Sequence, residues 1–295
     1  MNMNTPETVL ASACDKGYGP ARRWEANIEL GFSARPDKTV MSSMRFKGPM
    51  RVQRPFYPEG GPCHVYLLHP PGGMVSGDKL SIDVKVEKGA HALLTTPSAG
   101  KVYRADSSQV SQSQSVVIDV AEGATCEWLP QENILFDGAN ARLNTTISLT
   151  ADSSFVGWDM VSFGRQAGNL PFKQGALSQR FSVVVDGRPC LVENFKLDPE
   201  LALLSSPVGL SGYTNVGNLY FVGAGLEKKL DTLRDLIPEV SDSLFIAATH
   251  KPNVLVVRAF SHSAELLRNT FYHIWGAMRE PVLSLSPSFP RIWST

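Results

Sequence analysis

Three carboxylates sit where a charge is costly to hold. Asp159 follows Trp158 inside the apolar run Phe155 to Phe163, and alternation puts it on one face with Gly157 and Val161. Glu193 lies in Leu191 to Leu197 and shares a face with Leu191 and Phe195. A carboxylate on an apolar face needs a partner or water. For Asp159 two environments meet that need equally well, a buried salt bridge to Arg165 or Arg142 or a wet internal wall. Asp78 follows the turn Pro70-Pro71-Gly72-Gly73 and opens a strand, so by residue type it reads first as a turn cap. Carboxylate oxygens hold divalent cations loosely. A pair such as Asp78 and Asp159 would instead suit a hydrolase, provided they face one cleft at roughly 5–9.5 Å.

Other ligand types are sparse. His64 and His69 are five residues apart, which on a strand sends them to opposite sides. His91 lies within an apolar strand and reads as a core or edge histidine. Cys14, Cys63, Cys126 and Cys190 have no short spacing, so neither a disulfide framework nor a zinc site is indicated. Reduced thiols in the cytoplasm are the expectation. No P-loop, G-x-G-x-x-G, H-E-x-x-H or G-x-S-x-G cassette is present. "HPPGGMVSGD" is glycine-rich but lacks the Lys-Ser/Thr ending of a phosphate loop.

The elements that must position these groups are mostly strands. Alternation marks Leu80 to Val86, His91 to Thr96, Gln114 to Val120, Thr125 to Leu129, Arg142 to Leu149, Ser154 to Phe163, Gln179 to Val185 and Leu191 to Leu197. "VEKGAHALLTTP" and "VAEGATCEWLPQ" echo each other as strand, Gly-Ala turn, strand. The pattern predicts a β-rich body over 21–213 that is a sandwich, a barrel or a β-helix. After about Thr214 the pattern becomes α+β. Helices are expected at Leu226 to Leu236 and Ser263 to Met278, the second stopped before Pro281, with strands at Phe245 to Thr249 and Val254 to Phe260. No linker separates 214–295, so it is read as a subdomain. Residues 1–20 read as a disordered polar leader, not a secretory signal.

The chain of 295 residues carries 28 basic and 28 acidic side chains. That balance and the lack of a basic run argue against nucleic acid and anionic membrane as partners. No apolar stretch is long enough to span a bilayer.

Five segments together resemble one family. They are "GPMRVQRPFYPE" (48–59), "HVYLLHPPGGMVSGDKL" (64–80), "GAHALLTTPSAGKVYR" (89–104), "EWLPQENILFDGANAR" (127–142) and "GWDMVSFGRQAG" (157–168), and the tail "PRIWST" also fits. The resemblance is to UreD, also called UreH, and covers roughly residues 22–295. It implies a mainly β, two-layer β-helix-like body with a small C-terminal part of about two helices. It implies a non-enzymatic scaffold that binds apo-urease and UreF, and through UreF the GTPase UreG. Nickel would pass along an internal polar tunnel without being bound stably. On this resemblance Asp78, Asp159 and Glu193 match tunnel carboxylates. Gly100 stands where the family usually has a small hydroxyl residue, which removes a side-chain oxygen, and Val102 replaces the usual aromatic. Pro70, Pro71, Gly72, Gly73 and Trp293 are candidate partner contacts. Trp293 otherwise packs back on its own body, and Trp128 and Trp158 are expected in the core.

Overall fold

The computed structural model describes residues 24–198 and 202–294. The leader expected over 1–20 lies outside these residues. The first strands in chain order are β1 (Glu25–Ala34), β2 (Thr39–Lys47), β3 (Arg51–Val52), β4 (Cys63–Leu68), β5 (Lys79–Val86) and β6 (His91–Thr95). Then come β7 (Gly100–Val102), β8 (Gln112–Val120), β9 (Thr125–Leu129), β10 (Asn133–Leu135), β11 (Asn140–Leu149) and β12 (Ser154–Arg165). The rest are β13 (Leu170–Pro171), β14 (Ala176–Val185), β15 (Arg188–Leu197), β16 (Asn215–Val222), β17 (Leu244–Lys251) and β18 (Val254–Ser261). Two α-helices follow from the apolar spacing, α1 (Leu230–Asp235) and α2 (Ala264–Leu283).

The strands form two packed sheets. One has the order β15-β14-β11-β8-β5-β1-β2, and the other runs β17-β18-β16-β12-β9-β6-β4-β3 with β7, β10 and β13 attached beside β12. From β4 to β14 the longer strands alternate between the sheets. Within each sheet they pair in parallel, as in β5 with β8, β8 with β11, β6 with β9 and β9 with β12. Both sheets end in antiparallel pairs, such as β1 with β2, β14 with β15 and β16 with β18. The molecule is therefore a pair of packed, mixed sheets, parallel in the interior and antiparallel at the ends. Among the described residues the fold is mainly β with two α-helices, as the sequence predicts.

The two sheets carry different sequence signals for a physical reason. The first sheet has one face on the core and one in water, so β5 alternates strictly, with Leu80, Ile82, Val84 and Val86 buried. The second sheet is covered on both faces. Leu94, Phe155 and Tyr220 face the first sheet. Leu93, Trp158 and Phe221 face the helices. Its strands are accordingly apolar almost throughout, as in β12 and β18.

Helix α2 covers that outer face with Leu267, Phe271, Ile274, Trp275 and Met278. Ser263 caps it by accepting a hydrogen bond from the Leu266 amide at 3.2 Å. Ser263→Ala should cost about 1 kcal/mol and lower the melting temperature by about 2 °C. An unchanged melting curve would show that the cap carries no net stability. The helix continues past the expected stop and contains Pro281, ending at Ser284 in the left-handed region. In the last turn proline removes only one hydrogen bond, and the buried face of α2 outweighs that loss. The first expected helix is shorter than predicted, a 3-10 turn over Leu226–Lys229 leading into α1.

One arginine ties the layers together. Arg279 of α2 is 1% exposed. It donates to both oxygens of Glu59, each at 2.7 Å, and to Glu127 Oε1 at 2.9 Å. His64 Nε2 meets Glu59 at 2.6 Å, and His91 Nε2 meets Glu127 at 2.8 Å. Trp275 Nε1 donates to Glu127 at 2.8 Å. His91 is thus a satisfied strand histidine. No helix among the described residues is long and apolar enough to cross a membrane.

Candidate functional site

Asp159 points from the middle of β12 into the layer between the sheets, the face that alternation assigns it. Cross-strand register sets Asp159 beside Asn218 of β16, and Asn218 beside Arg258 of β18. Residues level with one another in a ladder share a face. The first sheet answers with Gln179 of β14 and Glu193 of β15. Gln179 Nε2 donates to Asp159 Oδ2 at 2.9 Å, and Asn218 Nδ2 donates to Oδ1 at 3.2 Å. Arg258 forms an ion pair with Glu193. A polar row therefore runs from the outer strands of both sheets toward the interior: Glu193 and Arg258, then Asn218, Asp159 and Gln179.

Neither arginine foreseen as a partner of Asp159 plays that part. Arg142 is exposed on the outer side of β11, one residue out of phase with the inward Leu143. Arg165 ends β12, six residues and roughly 20 Å along the strand from Asp159, and lies over the Phe136 ring. Two neutral amides take their place.

Neutral partners leave the charge of Asp159 largely uncompensated. Burial is the main cause that pushes its pKa up to about 7, with the Glu193 charge adding and the Asn218 hydrogen bond opposing. Asp159 lies deep between the sheets yet keeps an intermediate solvent-accessible surface, as do Gln179 and Asn218. Water-sized space thus reaches the row. Tyr220 Oη lies in the same layer, buried and without a hydrogen-bond partner. Burial raises its pKa well above the usual value, and the Asp159 and Glu193 charges add to that. Its ring stacks on Phe181 at 4.1 Å, and Phe181 is paired in register with Glu193.

Asp78 and Gly100 belong to a second place. Asp78 is buried and accepts from the Val75 amide at 2.8 Å, so it caps its turn as residue type predicts. Burial raises its pKa, and nearby His69 opposes this. Gly100 borders a cavity of about 130 Å³ together with His69, Gly72, Gly73, Gln114 and Asn133. A side chain on Gly100 would collide with Asn133 Oδ1. An amide oxygen from the neighbouring strand β10 therefore occupies the space a side chain would take. Gly73 is required by close approach, since a Cβ there would lie 2.8 Å from the Lys101 carbonyl. Pro70, Pro71 and Gly72 are exposed.

The two places are level with each other. In the parallel ladder Leu80, Gln114, Leu143 and Gln179 are successive partners. Gln114 lines the cavity and Gln179 holds Asp159, two strand spacings or about 10 Å apart. Leu80 and Gln179 are three spacings apart, on the order of 14 Å. Asp78, beside Leu80, and Asp159 thus do not share a catalytic cleft of the glycosidase type. Trp293 is on the far side of the second sheet. It stacks on Tyr272 at 3.9 Å, and its indole donates to Thr95 Oγ1 at 2.9 Å, so the tail packs back on the body. Among the described residues no three His, Cys, Asp or Glu side chains group as a metal cage.

The family model described as UreD urease accessory protein matches residues 25–294. The chain belongs to the UreD family. Urease accessory protein UreD of Chromohalobacter salexigens is 43% identical over 288 residues, covering 94% of this chain and 91% of its own length. That of Marinobacter nauticus is 43% identical over 301 residues, covering 99% of this chain and all of its own length. UreD of Pseudoalteromonas translucida is 41% identical over 281 residues, 93% of this chain and 92% of its own. UreD proteins are accessory proteins, not enzymes.

Arg258, Gln179 and Asn218 were missed by sequence reasoning. Only Arg258 carried a plain signal, as the one charge in the apolar strand β18.

Proposed function

We propose that this chain is a cytoplasmic scaffold of urease maturation that binds apo-urease together with UreF, and through UreF the GTPase UreG. Its task is to conduct nickel, as cargo, along the polar row between its sheets to the forming urease site. The observation that supports this reading best is Asp159. It is a deep carboxylate with water access, held by two amides and no cation. A structural carboxylate at that depth would be expected to have an ionic partner, as Glu127 has in Arg279. An oxygen site with neutral neighbours suits a cation that binds weakly and moves on.

Glu193 stands at the more open end, and its side chain is 28% exposed. Its pairing with Arg258 keeps this end of the path near neutral. A divalent cation engaging Glu193 would compete with the guanidinium, so loading is reversible by design. The test is co-expression with urease, UreF and UreG, followed by recovery of urease and a nickel assay. Glu193→Ala should leave the complex intact and lower the nickel in urease severalfold. Lost assembly, or unchanged nickel, would return Glu193 to a purely structural role.

A further inference from the structure

We infer that the end of the molecule where the long strand connections gather is the docking surface for apo-urease, and that it takes an acidic face of that partner. The choice of urease rests on the nickel-path reading above, in which cargo loads at the Glu193 end; the surface itself is argued from the connections. Within each sheet the alternating strands run parallel, so every connection from the second sheet to the first lies at one end. These connections are residues 69–78, 96–111, 130–139 and 166–175. The returns at the opposite end are tight turns over 87–90, 121–124 and 150–153. Only one end carries more chain than a turn requires, and such connections are where binding surfaces are built.

The long connections are bonded into one surface. Met74 bridges to Val102, and Val102, Leu135 and Phe163 are successive partners. Pro171 pairs with Gly164 beyond them. Four strand spacings make this strip roughly 20 Å wide. Further bonds join the connections: the Ala105 amide donates to the Gly138 carbonyl at 2.8 Å, and the Gly138 amide to the Gln174 carbonyl at 2.7 Å. A surface ordered in advance loses little entropy on docking. Its exposed charges are positive: Lys101, Arg104 and Lys173, with Arg165 at the end of β12. The carboxylates of the same connections are withdrawn. Asp78 and Glu132 are buried. Asp106 and Asp137 are half-buried, and Asp137 accepts the Lys173 and Gln174 amides at 2.8 and 3.0 Å. The turns at the other end instead mix exposed Glu87, Lys88, Glu122 and Asp152. Val75 and Leu170 add apolar area at the two flanks of the strip, 44% and 52% exposed. An acidic partner complements this set, whereas a second copy docked through the same face would set positive against positive. The cavity of about 130 Å³ is lined from three of these connections and opens here, since its wall residues Gly72 and Ser98 are exposed. A partner seated on this face covers the cavity mouth.

The experiment co-expresses the full chain with urease, UreF and UreG, captures the complex through UreF, and measures the urease recovered. Lys101→Glu combined with Lys173→Glu should lower urease recovery by about tenfold or more, because like charges then meet across the interface. The chain should stay on UreF with an unchanged melting curve. Wild-type recovery should fall as salt rises. Lys85→Glu, exposed near the opposite end, should leave recovery unchanged. Lysine cross-linking of the wild-type complex should join Lys173 to urease. Unchanged urease recovery in the double variant would overturn the assignment, as would cross-links from Lys173 to UreF or to a second copy in place of urease. If the double variant loses urease but Asp159→Asn leaves urease nickel unchanged, the docking surface stands and the path reading falls. Urease retained by the double variant, with nickel lost in Asp159→Asn, means the reverse.

Discussion

Arg279→Ala is expected to lower the unfolding free energy by about 3–5 kcal/mol. The guanidinium is fully enclosed and bridges Glu59 and Glu127, and it also donates to the Ser286 carbonyl at 2.6 Å. Its removal leaves the half-buried Glu59 with His64 and the buried Glu127 with His91 and Trp275, two carboxylates facing each other without a cation between them. Burial alone would raise the pKa of Glu127, but His91 and Arg279 outweigh it and hold the value at about 2. A depressed carboxylate contributes stability above its unfolded pKa and loses it as pH falls through the folded value. The deficit of the variant should therefore be full at pH 7 and shrink below about pH 4. Urea unfolding at both pH values measures this. Arg279→Ala combined with Glu127→Gln should recover part of the loss, because one of the stranded charges is gone. A loss under 1 kcal/mol would show that solvent enters and replaces the arginine.

Asp159→Asn should do the opposite and stabilise the fold. The Asp159 pKa is raised to about 7, mainly by burial. A raised carboxylate favours the folded state fully below its unfolded pKa, and that advantage is lost as pH rises through the folded value. Three pH units correspond to about 4 kcal/mol. Water reaching the row screens part of this, so a gain of roughly 2–4 kcal/mol is expected at pH 8. The gain should fade toward pH 4, where the acid is already neutral. The introduced amide has one donor and one acceptor side, as the protonated acid does, and Gln179 can turn its own amide to match. Melting curves at pH 4, 6 and 8 check this. A variant less stable than wild type at pH 8 would mean that the charge of Asp159 is compensated in the fold.

The sequence showed where the difficult charges are, and less about what surrounds them. Asp159 and Glu193 stood out because a carboxylate interrupts an apolar strand, and both do face the inter-sheet layer. Their partners were not readable. Gln179 and Asn218 are 20 and 59 residues from Asp159 and reach it only through sheet register. Strand positions were legible wherever alternation was strict, as in β5. The doubly covered strands of the second sheet lose the alternation, so β9 and β18 show runs instead. β1 and β2, which open the first sheet, were not among the expected strands, although Ala26, Ile28, Leu30 and Phe32 alternate clearly. Arg279 had left a signal too, four residues from Trp275 on the apolar face of α2.

The central claim is that the polar row carries nickel, and Asp159→Asn tests it most directly. Urease should be matured with wild-type or variant chain plus UreF and UreG, recovered, and its nickel content measured. The account predicts an assembled complex, a chain at least as stable as wild type, and urease depleted of nickel. Urease with wild-type nickel content from that same complex would contradict it.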